Sequence, residues 1–543
     1  MKRLLLVSIS LLGAAAGCAG QADSASSGGG NVSFGGQQDI GEFRGILEAG
    51  QIPGPETLDA NGFFNEHYVA PPTDCTSTLC MTPGVSVGRD WLTGAHQATL
   101  QIAVNTNVDP TTITKKPLNL VVVVDHSGSM WDDQRLEKVK SGLHTLVQNL
   151  GEGDRLALVQ FDDQVEVLVP FAETIDKPHL DQVINALTPR GSTDIYDGLE
   201  QGFKLAATSF SSDRQNRVIF LSDGMATAGN TSQTDIISMA DRYVTDGIGL
   251  TTIGVGLSFD VKLMRGLAEH GSGNFYFLED AAAASEVFNQ ELDYFVSPLA
   301  LDVHVNATSG AGWQFGEVIG STLWKSTSGS GSMTIPAVFV ASRTSQPNEG
   351  GRRGGGSMLF IHLTPTGNNP PDGEVADLTL SYRLPGSSEM QTQTITLAYP
   401  HDPAEIPADT YLSTPEMAER YAMYNVFLGL RAATNMYDYN CAAAAINATK
   451  SNAQTWSSTH EDPDIAADIQ LMDLYLANLR TYGGTGDASL ETCASDPYGY
   501  GEDGYNDYDN TYNGACMSAG GNSRGMALIV LAVGFVVRRR RRT

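Results

Sequence analysis

Positive charge is scarce in this sequence. Lysine and arginine together number 33 against 62 aspartates and glutamates, which gives a formal net charge of −29. Seven of the basic residues stand in the two termini, at Lys2, Arg3 and 538–542, so the remainder of the chain is more acidic still. Such a surface repels nucleic acid and anionic lipid, which argues against a nucleic-acid-binding protein. The acidity suits a cation-rich extracellular setting, and it equally suits a simple need for solubility.

Several signatures of enzyme chemistry are also missing. There is no HExxH motif, no nucleophile elbow between a predicted strand and helix, and no phosphate-binding glycine motif after the first strand of the α/β segment. The six cysteines include no CxxC pair of the kind that binds zinc. These absences predict that the protein is not an enzyme.

Four of the six cysteines are predicted to form two disulfides. Cys75 and Cys80 are near enough in sequence to close a small loop, and Cys441 and Cys493 flank a helical region. Both pairs would form after export, because oxidising compartments are where disulfides persist. The other two cysteines lie in terminal segments that carry sorting signals.

The first segment, residues 1–18, is predicted to be a signal peptide. Lys2 and Arg3 precede an apolar run, and small residues lead to Cys18. The Ala-Ala-Gly-Cys ending resembles a bacterial lipobox, which would place a lipid on Cys18. A lipobox usually starts with Leu, so ordinary signal-peptidase cleavage nearby is the alternative.

The last segment, residues 526–543, combines twelve apolar residues with an arginine cluster. Twelve helical residues cover about 18 Å, which is short of a hydrocarbon core of about 30 Å. With the glycines and Cys516 before it, the segment resembles a myxobacterial MYXO-CTERM sorting signal, and a short tail anchor is the alternative. Either interpretation predicts an exported protein of the bacterial cell envelope, outer membrane or cell surface.

Hydrophobic periodicity divides the rest of the chain. From the amino end, the predicted segments are a flexible linker at 19–38, an N-terminal segment at 39–96 that begins with short helices and turns over 39–72, a strand region at 97–114 and an α/β domain at 115–296. A β-sandwich at 297–402, a helical region at 412–484 and an acidic Gly/Tyr-rich linker at 485–525 follow. The fold class is therefore α/β, with a doubly wound, mostly parallel sheet beside a β-sandwich and a C-terminal helical region. If the strand at 97–106 completes the sandwich, the α/β domain is an insertion between sandwich strands.

A cluster of oxygen-bearing side chains follows the first strand of the α/β domain. The run LNLVVVV leads into Asp125, Ser127 and Ser129, and two later loops contribute Thr193 and Asp223. Open α/β sheets bind ligands at the carboxyl ends of their strands. Hard oxygen donors around a small site favour Mg²⁺, with Mn²⁺ and Ca²⁺ as alternatives.

The DxSxS sequence from Asp125 to Ser129, the loop with Thr193 and the Ser-Asp-Gly turn with Asp223 form three motifs. Together they resemble the metal-ion-dependent adhesion site of von Willebrand factor A (VWA) domains. The resemblance implies that Ser127, Ser129 and Thr193 are hydroxyl ligands, while Asp125 and Asp223 act largely through coordinated waters. His126 fills a variable position, where we expect a solvent-facing side chain rather than one that tunes access to the metal. More loosely, residues 39–96 resemble the segment before the VWA domain in bacterial exported VWA lipoproteins. The sandwich and helical tail are also similar to the flanks of inter-α-trypsin-inhibitor heavy chains.

The resemblance implies a binding protein whose partner presents an Asp or Glu. That carboxylate would complete the coordination of the divalent cation, and the last helix of the domain, near 280–296, could couple the site to the sandwich. The alternative is a scaffolding protein of the envelope, in which the metal only stabilises the domain. Membrane attachment would come from the lipid, from the C-terminal segment or from both.

Overall fold

The computed structural model describes most of the chain between residues 30 and 493. The described ranges are 30–68, 75–109, 112–113, 116–172, 175–223, 225–256, 259–278, 287–288, 298–341, 356–367, 371, 373–399 and 410–493. The predicted signal peptide with Cys18 and the sorting segment with Cys516 lie outside these ranges, so both stay predictions. Within the described ranges, no helix has the length and apolar character needed to cross a membrane.

The described strands belong to two sheets, one of seven strands and one of eleven. In chain order they are β1 Gly30–Ser33, β2 Gly36–Gln37, β3 Cys80–Arg89, β4 His96–Thr106, β5 Leu118–Asp125, β6 Arg155–Phe161, β7 Val165–Val169, β8 Gln215–Ser222, β9 Gly249–Val255, β10 Asn274–Leu278, β11 Ala300–Ser309, β12 Trp313–Ile319, β13 Lys325–Ser326, β14 Ser330–Ala341, β15 Met358–Pro365, β16 Gly373–Arg383, β17 Met390–Tyr399 and β18 Tyr411–Leu412.

The described helices fall in three groups along the chain. In chain order the α-helices are α1 Gly41–Glu48, α2 Ala60–Asn65, α3 Arg135–Asn149, α4 Lys177–Ala186, α5 Ile195–Thr208, α6 Gln233–Thr245, α7 Val261–His270, α8 Met417–Thr434, α9 Tyr439–Ser457, α10 Pro463–Thr481 and α11 Leu490–Cys493. Two 3₁₀ helices span Pro55–Thr57 and Gly128–Gln134. The helix predicted near 280–296 falls, apart from residues 287–288, outside the described residues.

The seven-stranded sheet has the order β2-β10-β9-β8-β5-β6-β7, and only β7 runs antiparallel to its neighbour. All eight residues of the central β5 are buried, as a β-branched run between two helical layers requires. Its alternate residues enter two separate cores: Val122 packs with α3 and α4, whereas Val123 packs with α5 to α7. The prediction of a doubly wound, mostly parallel sheet is therefore confirmed.

Residues 30–38 correct the prediction of a flexible linker. They form β1, which pairs with β4 and β14, and β2, which extends the α/β sheet beside β10. Val32 and Phe34 are buried in the sandwich core. Gly35 and Gly36 have φ near +87° and +81°, and these angles let the chain turn from one sheet to the other. Val32 and Phe34 alternate with polar or small residues, but the many glycines and serines around them made the segment resemble a linker.

The eleven strands of the other sheet are antiparallel and share one hydrophobic core. β4, which precedes the α/β segment, lies between β3 and β15, so that Leu100 is opposite both Val85 and Ile361. β1 joins the two halves of the sandwich, because it pairs with β4 on one side and with β14 on the other. The α/β segment thus lies in sequence between strands of the same antiparallel sheet.

The helical region packs against the amino-terminal helices. Phe63 and Phe64 of α2 contact Phe427 of the almost wholly buried α8. Asp462 caps α10, because its side chain accepts hydrogen bonds from the backbone N–H groups of Asp464 and Ile465.

Both predicted disulfides are present. Cys75 is joined to Cys80 beside the start of β3, with their Cα atoms 5.8 Å apart. Cys441 in α9 is joined to Cys493 in α11, with their Cα atoms 5.3 Å apart. The second bridge ties the last described residues back onto the helical region.

Candidate metal centre

Asp125 is the last residue of β5 and is fully buried at the carboxyl edge of the parallel sheet. One carboxylate oxygen, Oδ1, accepts from the backbone N–H of Ser127 at 2.8 Å, which turns the chain sharply after the strand. The other, Oδ2, accepts from the hydroxyl of Ser222 at 2.6 Å. Burial raises the pKa of Asp125 to about 6, although these hydrogen bonds oppose the shift.

Three more of the predicted residues continue from Asp125 in a chain of hydrogen bonds. The hydroxyls of Ser127 and Ser129 are 3.1 Å apart. Ser129 donates to Oδ1 of Asp223 at 2.8 Å. Asp223 follows β8, the neighbour of β5, so the parallel pairing of these two strands brings the two loops together.

Thr193 approaches the same place on a third loop. The N–H of Gly128 donates to the carbonyl of Gly191 at 3.2 Å, which holds this loop against the Ser127–Ser129 turn. The N–H of Thr193 donates to the hydroxyl of Thr227 at 3.0 Å, and its carbonyl accepts from the backbone of Thr227 and Ala228. All five predicted residues therefore lie at one edge of the sheet, with Asp125 at the end of β5 and the other four on three adjoining loops.

Arg135 is part of this site, and no sequence motif pointed to it. Its guanidinium donates to Oδ2 of Asp223 at 2.7 Å and is largely buried. Gly256, with φ near +82°, makes room for it, because a Cβ there would lie 2.5 Å from Nε of Arg135. The sequence does not predict this contact, because Arg135 reaches Asp223 only when α3 packs on the sheet.

His126 corrects the prediction of a solvent-facing side chain. It is only 2% exposed, and its Nδ1 lies 2.9 Å from the carbonyl of Thr188. Its Nε2 lies 3.8 Å from Oδ2 of Asp162. The imidazole thus fastens the first loop to the segment before Thr193. Its position points to a structural role rather than to access control at the metal.

The donor set fits a small, hard divalent cation. Two carboxylates and three hydroxyls offer oxygen ligands alone, which suits Mg²⁺. The raised pKa of Asp125 shows a buried carboxylate that its protein neighbours only partly stabilise, and a cation would complete that stabilisation. No group of three or more His, Cys, Asp and Glu side chains in the described ranges is arranged to hold a metal ion, and the site at Asp125 combines only two carboxylates with its hydroxyls.

The family model of the von Willebrand factor type A domain matches residues 119–290. The chain therefore carries a VWA domain, and the resemblance noted in the sequence is confirmed. The matched range includes all five predicted site residues. Domains of this class commonly bind proteins through a metal-ion-dependent adhesion site that holds a divalent cation, and they are generally interaction modules rather than enzymes.

Individual relatives match only part of the chain. The uncharacterized protein YfbK of Escherichia coli strain K12 is 31% identical over 196 residues, which is 36% of this chain and 34% of YfbK. Inter-alpha-trypsin inhibitor heavy chain H2 of Mus musculus is 25% identical over 211 residues, which is 37% of this chain and 21% of that protein. This chain thus spans about a third or less of the length of these curated relatives.

Among solved structures, a von Willebrand factor type A protein from Catenulispora acidiphila is similar to this chain. The two share 13% sequence identity with a TM-score of 0.46, and the superposition covers 75% of this chain and 98% of that one.

Proposed function

We propose that this protein binds a divalent cation, Mg²⁺ in the first place, and uses it to bind the Asp or Glu carboxylate of a protein partner. The ligands would be Asp125, Ser127, Ser129, Thr193 and Asp223. The observation that carries the proposal is the hydrogen-bonded chain from Asp125 through the two serines to Asp223 at the carboxyl edge of the sheet.

The hydrogen bonds also support the division of roles among these residues. Both carboxylate oxygens of Asp125 and both of Asp223 already accept from protein donors. Ser129 donates its hydrogen to Asp223 and therefore accepts from Ser127 in their 3.1 Å contact, which leaves one lone pair of its oxygen available to a cation. We therefore assign the hydroxyls of Ser127, Ser129 and Thr193 as direct ligands and the two aspartates as holders of coordinated water.

The proposal places the protein outside the cytoplasm, in the bacterial envelope or at the cell surface. Two disulfides support an oxidising compartment. Attachment would come from a lipid on Cys18, from the segment that includes Cys516, or from both.

The test is Mg²⁺-dependent capture of a partner by the mature protein. Wild-type protein should retain a partner from envelope extract in Mg²⁺ and release it in EDTA, and the Asp125→Ala variant should retain none. Asp246→Ala is the matched control, because this exposed carboxylate lies just before β9 at the opposite edge of the sheet. Retention that survives both EDTA and Asp125→Ala would overturn the proposal.

A scaffolding role is the second candidate, and contacts between the α/β sheet and the sandwich favour it. Glu269 of α7 accepts from the backbone and hydroxyl of Thr322 and from Ser321. Arg217 of β8 lies 5.0 Å from the ring of Phe339 in β14. Such contacts suit a rigid assembly unit. In that case chelation would lower the melting temperature without releasing a partner.

A further inference from the structure

Two large apolar side chains are exposed beside the proposed cation site. Trp131 is 77% exposed and Met225 is 62% exposed. Most tryptophan and methionine side chains of folded proteins are largely buried, so an exposed pair at a binding site calls for an explanation.

Each of these side chains lies two residues beyond a residue of the site. Trp131 is two residues beyond Ser129, and Met225 is two residues beyond Asp223, while Ser129 and Asp223 are hydrogen-bonded at 2.8 Å. Two residues of extended chain span at most about 7 Å. The apolar pair therefore borders the place where a partner carboxylate would meet the cation.

The backbone that presents Trp131 is held on both sides. Met130 is 1% exposed in the core beneath the sheet, and Arg135 is tied to Asp223. Between them Asp133 and Gln134 adopt positive φ angles of 50° and 56°, which non-glycine residues rarely do. The tryptophan is thus displayed by a fixed turn and is not the end of a frayed helix.

The charged residues around the pair are mainly acidic. Asp132 and Asp133 adjoin Trp131, and Asp163 lies on the loop after β6; all three are exposed. Two arginines also lie at the site, and both are paired with aspartates. Arg135 lies 2.7 Å from Asp223 and 3.8 Å from Asp133, and Arg190 is bonded to the buried Asp162 at 2.7 Å. With a net charge of −29 on the whole chain, further carboxylates on a partner would be repelled.

From these observations we propose that the partner is a protein segment in which a single Asp or Glu stands within two residues of a large apolar side chain. The carboxylate would meet the cation, and the apolar side chain would bury Trp131 and Met225. This inference rests on the function proposed above and specifies which acidic segments the site selects.

The test is selection of a random peptide library on the full chain in Mg²⁺, with elution by EDTA. We expect EDTA-eluted peptides to carry one acidic residue with Trp, Phe, Leu, Ile or Met within two positions. Removing both apolar contacts by Trp131→Ala and Met225→Ala should weaken such peptides about tenfold or more, as expected for an aromatic binding contact. Affinities are compared at saturating Mg²⁺, determined separately for each variant.

Phe210→Ala is the matched control, since this aromatic is 46% exposed after α5, at the opposite edge of the sheet. It should leave the peptide affinities unchanged. If EDTA-eluted peptides carry an acid but show no apolar preference, or if the double variant binds them as wild type does, the inference is overturned and the proposed function stands. If no peptide elutes with EDTA, both are overturned.

Discussion

At the scale of single residues, the site depends on how buried charge is compensated. Asp223 is 1% exposed, and its neighbour Arg135 supplies a full positive charge at 2.7 Å. Breaking a buried ion pair leaves the remaining charge unpaired, and that costs more than the pair itself contributes. Arg135 and a bound cation would therefore stabilise the same carboxylate.

The variant Arg135→Met tests this relation. Without a bound cation it should lose roughly 3 kcal/mol of unfolding free energy, because the charge of Asp223 stays buried and unpaired. Added Mg²⁺ should then raise its melting temperature by more than it raises that of the wild type. Differential scanning calorimetry with Mg²⁺ and with EDTA measures both quantities.

The double variant Arg135→Met, Asp223→Asn serves as the control. It removes the unpaired charge, so its loss of stability without the cation should be smaller. An Mg²⁺ shift in Arg135→Met equal to or below that of the wild type would contradict the relation.

At the scale of elements, the two disulfides close loops of different length. Cys441 and Cys493 are 52 positions apart and hold α11 against α9, whereas Cys75 and Cys80 are only 5 apart. Because a cross-link restricts the unfolded chain more as the loop grows, the longer bridge should contribute more to stability.

Replacing each cysteine pair by alanine tests this difference. Loss of the Cys441–Cys493 bridge should lower the unfolding free energy by about 4 kcal/mol, against about 2 kcal/mol for the Cys75–Cys80 bridge. Urea denaturation without reductant measures both. An equal or greater loss for the shorter loop would show that native-state contacts, and not loop length, decide the difference.

At the scale of the whole molecule, buried acids make stability depend on pH. Burial raises the pKa of Glu42 in α1 to about 8, with the nearby Glu56 adding to the shift. Burial likewise raises the pKa of Glu419 in α8 to about 7. A carboxyl whose pKa is higher in the folded state binds its proton more tightly there, so folding is favoured at low pH. This contribution is lost as the pH rises from about 4.5 toward the folded value.

From Glu42 alone we therefore expect the unfolding free energy to fall by roughly 3 kcal/mol between pH 5 and pH 8, and Glu419 should add to this decline. Glu42→Gln should make this decline shallower, because the amide does not ionise. Glu48→Gln, an exposed position at the end of the same helix, should leave the profile unchanged. A Glu42→Gln profile parallel to that of the wild type in urea titrations would contradict the assignment.

Local patterns predicted much of this molecule. The β-branched run of β5 and the serine spacing after it are enough to locate Asp125, Ser127 and Ser129 at the end of a buried strand. The order of strands and helices then predicts a doubly wound sheet. These inferences succeed because strand burial and turn chemistry depend on residues that are close in sequence.

Contacts between segments that are far apart in the sequence could not be predicted from local patterns. The pairing of residues 30–38 with both sheets, the burial of His126 and the ion pair of Arg135 with Asp223 all join residues far apart in the chain. Nothing in the neighbouring sequence marks these residues, because their partners are chosen by how whole elements pack.

The class of the α/β domain, the oxygen-bearing side chains at the end of β5 and the pairs of cysteines all follow from the amino-acid sequence alone. Three further features depend on the folded chain: Arg135 balances Asp223, Trp131 and Met225 border the site, and β1 and β2 join the two sheets. The difference arises because side-chain chemistry and periodicity are local properties. Charge compensation and exposure are established only when distant segments exclude water from one another.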